Sequence, residues 1–145
     1  MSQKLYIYIF YVAVLLGLAD SIYLSMTVLL GIAPTCGVIH GCETVSRSQY
    51  SRLFSIPLAY LGVLYYLFGA LLAGYLAESR VAQKIALLYG LAGAGMSLWF
   101  IYIQAVLIGA FCIYCLGSAL ATFIIFGAAI VIFKNRSVVT SAIHT

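Results

Sequence analysis

Two pairs of cysteines hold the residues in this chain best suited to chemistry. In AFCIYCLGS, residues 110–118, Cys112 and Cys115 stand three apart where an apolar run begins. On a helix, positions i and i+3 share a face, so the two sulfurs can meet. The first turn also holds unpaired N–H groups and the positive end of the helix dipole, which favour thiolate over thiol. Thiolate is the nucleophile of disulfide exchange, so this placement makes a reactive pair. The second pair, Cys36 and Cys42 in PTCGVIHGCE, lies in a segment made pliable by Gly37 and Gly41. A disulfide there closes a very short loop, and even a loop of about 15 residues gains only ~3 kcal/mol, so stability alone is a weak reason for it. A mobile pair beside a fixed pair is the arrangement of a relay. The loop thiols collect electrons from a partner and pass them to Cys112 and Cys115.

Three plainer readings compete. Two structural disulfides would pin the loop, although a Cys112–Cys115 bridge is oddly local for a staple. A four-cysteine zinc site needs tighter spacing than the five residues between Cys36 and Cys42, so no metal is expected. Inert buried thiols would not all gather at one edge of the membrane. Electrons also need an acceptor, and the chain has no Rossmann fingerprint and no haem or iron–sulfur cysteine spacing. A quinone dissolved in the membrane, reaching the pair from between the helices, is the economical choice.

The elements that must position these cysteines follow from composition. The chain has 145 residues, 66% of them hydrophobic and 7% charged. A soluble surface needs far more charge, so lipid supplies most of the solvent. The length allows about four spans of roughly 20 residues and little else. The spans read as residues 5–32, 57–77, 85–108 and 112–133, in one membrane domain covering 1–145. Pro57 suits a helix first turn. The N-terminus has a short positive region like a signal peptide, but its apolar run is too long for a cleaved signal core. Gly90, Gly93 and Gly95, with Ala86 and Ala94, give the third span a small-residue face for close helix packing. The sequence ESRVAQK, 78–84, makes a charged connection, GAF, 109–111, a tight turn, and the tail after 133 is polar.

Orientation comes from the cations. Lys4, Arg80, Lys84, Lys134 and Arg136 share one side, against Arg47 and Arg52 on the other. The positive-inside rule puts both termini in the cytoplasm and the 33–55 loop outside, in a cell membrane. All four cysteines then face an oxidising compartment, where disulfides form and persist. A net charge of +4 spread this thinly makes no nucleic-acid patch. Three further residues stand out. Asp20 is a lone carboxylate inside the first span and is a functional candidate by default. His40 lies between the loop cysteines, where it favours thiolate or is simply solvated. Tyr114, inside the C-x-x-C, tunes redox poise or belongs to an interfacial belt.

The runs CGVIHGCETVSRSQYSRLFSIPLAYLG, 36–62, and FCIYCLGSAL, 111–120, resemble the vitamin K epoxide reductase (VKOR) family, especially its bacterial and archaeal members. The resemblance covers essentially the whole chain in span order and loop placement. In the DsbB type of disulfide generator the C-x-x-C lies in the first outer loop, whereas here it opens the last span. The resemblance implies a four-helix bundle around a quinone, with a short loop helix, read as 44–54, capping the site. Carried over by position, Cys115 is the thiol nearest the quinone, and attacks it or transfers charge to it. Cys112 pairs with Cys115 at rest and accepts attack from Cys42, and Cys36 exchanges with a thioredoxin-like partner. Ser48 occupies the family's Ser/Thr position six residues past the second loop cysteine. Two departures concern the animal enzymes. Their Tyr four residues past the C-x-x-C is Ala119 here, and their span-two Asn has no counterpart in IPLAYLG. Quinone reduction, rather than epoxide reduction, is therefore the implied activity. Many bacterial relatives carry a fused thioredoxin-like domain. This chain stops at Thr145, so the expected partner is a separate, DsbA-like protein.

The expected function is an integral-membrane thiol oxidoreductase delivering electrons from that partner to a membrane quinone, so that exported proteins acquire disulfides. Two alternatives differ in kind. One is a small proton-coupled multidrug-type exporter with Asp20 as the coupling carboxylate. The other is a structural membrane subunit stapled by its cysteines.

Overall fold

The computed structural model of the protein describes residues 2–37 and 41–143. Its polarity is inverted relative to a water-soluble bundle. Leu16, Leu29, Leu71 and Leu88 are 65–70% exposed on the outside, while Ser21, Ser25, Gln83, Gln104 and Thr122 are buried within. Lipid solvates such an exterior, and helices satisfy their own backbone polar groups there. The elements in order are α1 (Gln3–Leu30), α2 (Cys42–Arg47), a 3₁₀ turn (Gln49–Ser51), β1 (Arg52–Leu53), β2 (Ile56–Pro57), α3 (Leu58–Tyr75), α4 (Arg80–Tyr102), a π-helical turn continuing α4 (Ile103–Ile108) and α5 (Ile113–Ile143). Four of these are long and apolar enough to cross a membrane: Gln3–Leu30, Leu58–Tyr75, Arg80–Ile108 and Ile113–Asn135. The protein is an all-α, four-span membrane bundle with a short helix between its first two spans.

The helix ends have local causes. Gly31 and Gly109 close α1 and the π turn in the left-handed region, at φ 66° and 69°, which glycine enters without steric cost. The Ser79 hydroxyl accepts the Ala82 N–H at 3.3 Å and caps α4. This cap starts α4 at Arg80, so most of the charged 78–84 stretch is helical and the connection is shorter than the sequence suggests. At the other end α5 runs on through the polar tail to Ile143.

The segment 44–54 is not one helix. Its helical part is the six residues of α2, and Ser48 then turns extended at ψ 154°. A two-rung antiparallel pairing follows, Arg52 with Pro57 and Leu53 with Ile56. Pro57 disfavours helix at the residue before it, which explains the extended approach to α3.

In the bundle α5 lies along α1 and α4, and α1 lies along α3. The core is built on Phe10, Tyr66, Ile125 and Ile132, with Ala86 and Ala129 between helices. A Cβ on Gly90 would lie 2.9 Å from Phe126 Cα, so this glycine lets α4 close on α5. Gly93 faces the Tyr65 ring. Gly95 meets nothing within 4 Å and, contrary to its sequence reading, takes no part in that packing. Where α3 and α4 meet, Tyr65 and Tyr89 each donate to the other's carbonyl, at 3.2 and 2.9 Å, with rings stacked 4.1 Å apart.

Candidate active site

At the loop end of the bundle a second buried cluster forms, apart from the main core. Cys42, Val45 and Cys112 are its centre, and Cys36 and Cys115 pack against it. All four cysteines, from segments 70 residues apart in sequence, thus share one apolar patch. Cys36 and Cys42 form a disulfide with Cα atoms 5.9 Å apart, and Cys112 and Cys115 are free thiols. Cys36 is half-buried, whereas Cys42 and Cys112 are 1% and 0% exposed.

Two contacts hold the loop against α5. The Gly41 backbone lies flush on Phe111. A Cβ at Gly41 would overlap the Phe111 carbonyl oxygen and sit 2.8 and 2.9 Å from its amide nitrogen and carbonyl carbon. The Tyr114 hydroxyl donates to the Thr35 carbonyl at 3.2 Å, next to Cys36, and its ring lies 4.9 Å from that of Tyr23.

Cys112 occupies the N-cap of α5: its carbonyl accepts the Leu116 N–H at 3.0 Å, the first bond of the helix. Its own N–H donates to Gln104 Oε1 at 2.8 Å. A hydrogen bond from Cys115, helped by the backbone N–H groups of Cys115 and Tyr114, lowers the Cys112 thiol from 9.0 to about 7, while burial and the Asp20 carboxylate oppose the shift. The sulfur is therefore used as a side-chain cap, and the unpaired amides of the first turn select its anionic form. Because the shift is downward, thiolate is held above about pH 7 and lost as pH falls through it. Titrating the reduced protein by thiolate ultraviolet absorbance should show a midpoint near 7 that Cys112→Ser removes. A midpoint left at the ordinary thiol value would contradict the capping role.

A cavity of about 500 Å³ opens between α1, the 45–57 segment, α3, α4 and α5. Of the four cysteines, Cys115 is the one on its wall. Asp20, Ser48, Gln104 and Ser118 line it too. Asp20 Oδ2 is buried with no hydrogen-bond partner among the described residues. The Ser48 hydroxyl closes α2 by donating to the Val45 carbonyl at 2.7 Å. The Tyr66 hydroxyl joins α3 to α5 through the Ser118 carbonyl, at 3.0 Å, and Ser118 Oγ, at 2.8 Å. His40 lies outside the described residues. An apolar chamber of this volume with a few convergent polar groups suits a flat organic molecule.

Gln104 was missed by reading the sequence for cysteines. Its signal was present all the same: one carboxamide within the apolar run IYIQAVLIGAF, where a polar side chain needs a partner.

The sequence model of the vitamin K epoxide reductase family matches residues 8–130. The chain belongs to that family. No curated protein matches it. Membership makes the protein a membrane oxidoreductase whose redox function runs through cysteines. A vitamin K epoxide reductase family chain with two thiol pairs in contact, one sulfur of which borders a cavity, has the parts for moving an electron pair by disulfide exchange.

Proposed function

We propose that this protein passes electron pairs from a reduced thioredoxin-like protein to a membrane quinone, and so supports disulfide formation in exported proteins. One observation carries the reading. The four sulfurs share a cluster, graded from half-exposed Cys36 through buried Cys42 and Cys112 to Cys115 on the cavity wall.

A partner thiolate attacks Cys36, the more accessible sulfur of the loop disulfide. The partner leaves oxidised, and the loop becomes a dithiol. Cys42 thiolate then attacks Cys112 of an oxidised Cys112–Cys115 pair, and Cys115 leaves. Cys36 attacks Cys42 in turn, which reforms the loop disulfide and expels Cys112. A thiol held near 7 leaves readily, so the Cys112 cap favours this resolution. The C-x-x-C pair now holds two electrons and two protons. Cys115 delivers the electron pair into the cavity, Cys112 closes the disulfide on Cys115, and the quinone departs as quinol with both protons. Asp20, a carboxyl with a free oxygen on the same wall, carries a thiol proton to the quinol oxygen. Quinone is the substrate here, and ubiquinone, menaquinone or a similar ring meets the same requirements.

The cation count supports the orientation in a cell membrane, with both termini cytoplasmic and the cysteine cluster on the outer side. On that side a strong thiol oxidant at about −120 mV could meet Cys36, and each 29.6 mV to a higher-potential quinone multiplies the equilibrium about tenfold.

The test uses purified protein, a reduced thioredoxin-like protein and menadione. Cys112→Ser and Cys115→Ser should each bring quinone reduction to background. Cys42→Ser, given the same partner in its disulfide form instead, should attack it through Cys36 and stay joined to it as a mixed disulfide on a non-reducing gel. Full activity in both C-x-x-C variants would sink the reading. An exporter would tolerate both and fail with Asp20→Asn, and a stapled subunit would trap no partner.

A further inference from the structure

We propose that Gln104 couples the occupant of the cavity to the Cys112 thiol, one end of its carboxamide holding Cys112 and the other a carbonyl oxygen of the occupant. This rests on the quinone reading above and extends it to a residue that reading does not use.

Gln104 fixes the turn into α5 at two points. Its main-chain carbonyl accepts the Ala110 N–H at 3.2 Å, and its side-chain Oε1 accepts the Cys112 N–H at 2.8 Å. In a capping box a Glu or Gln at the third helical position reaches back to the N-cap N–H. That position in α5 is Cys115, which has no such group, so the preceding helix supplies the carboxamide. The π turn contributes to this: it widens the end of α4 where Gln104 sits, and such turns recur at functional sites.

The same bond orients the amide. A backbone N–H donates, so the atom facing it is oxygen, and Nε2 with its two donors is left for something else. Gln104 is 3% exposed and lines the cavity. Several other donors on that wall are committed: Tyr65 to the Tyr89 carbonyl, Tyr66 to Ser118, Thr122 to the Ala119 carbonyl and Ser48 to the Val45 carbonyl. An amide N–H with no acceptor among the described residues suits a carbonyl oxygen, which both ends of a quinone ring provide. Polarising the carboxamide from the Nε2 side strengthens Oε1 as an acceptor. The hold on the Cys112 main chain then tightens, which fixes the N-cap geometry in which the first-turn amides face the sulfur and favour its thiolate when substrate is in place.

The Cys112 titration is read in detergent-solubilised, reduced protein with and without saturating acetophenone, an aromatic ketone, or ethylbenzene, its hydrocarbon counterpart. Acetophenone should move the wild-type midpoint downward, and ethylbenzene should not. In Gln104→Met the midpoint rises, acetophenone no longer shifts it, and KM for menadione rises about tenfold, as for one lost hydrogen bond. The proposal is overturned if ketone and hydrocarbon act alike on the wild type, or if Gln104→Met keeps both the midpoint and KM. The wild-type comparison decides the matter even if the variant does not fold. A ketone-dependent shift in a protein that cannot reduce menadione would instead keep the coupling and remove the quinone reading.

Discussion

A chain carrying Cys36→Ser and Cys115→Ser together should oxidise to one intramolecular product, a Cys42–Cys112 disulfide. Both remaining sulfurs sit in the centre of the same buried cluster, at 1% and 0% exposure. Held groups in near-attack geometry react with effective molarities of about 10⁵ M or more, so the internal bond should outrun any reaction between molecules. This bond is also the intermediate of the proposed relay, with both resolving thiols removed. Mild oxidation followed by a non-reducing gel and mass spectrometry of the linked peptides reads the outcome. If both thiols still alkylate after denaturation, the loop and the C-x-x-C do not meet, and the electron route through Cys42 is lost.

Gly41→Val should cut electron flow from the thioredoxin-like protein to menadione by about a hundredfold, the scale of a misplacement of ~1 Å between reacting groups. Gly41 sits at φ −104°, which any residue adopts, so backbone strain is not the cause. Its Cβ would meet main-chain atoms of Phe111, and backbone cannot rotate aside as a side chain can. The loop must lift, taking the next residue, Cys42, away from Cys112. The half-reaction that does not involve the loop is the control. In a single turnover started with Cys112 and Cys115 already reduced, the variant should reduce menadione at the wild-type rate. Equal loss in both measurements would mean that the substitution damages the bundle rather than the approach of the loop.

How much of this was legible beforehand varies with the range of the interaction. The four spans could be read because lipid demands long apolar runs, and that demand is local in sequence. The small-residue stripe of α4 was only partly legible. Gly90 and Gly93 face neighbouring helices and Gly95 faces none, since stripe membership gives spacing but not the angle at which a partner arrives. The helical part of the outer loop starts earlier and is shorter than the 44–54 its sequence suggests. α2 begins on Cys42 itself, where the chain leaves its contact with Phe111, and it ends when Ser48 turns extended. Residues 44–54 alone contain neither cause.

By itself the sequence determined the family, the membrane bundle and the gathering of cysteines toward one end of it, because composition and spacing are properties of short segments. The family resemblance named a role for each sulfur, and only the tertiary structure gave each its surroundings. Cys112 and Cys115 are equivalent as letters, yet one is at the centre of the cluster with Cys42 and the other borders the cavity, since three residues turn their side chains about 60° apart. The bonds that fix this division, Gln104 to Cys112 and Tyr114 to Thr35, join residues 8 and 79 apart. Nothing in either local stretch names its partner, because such pairs come into being only when the helices pack.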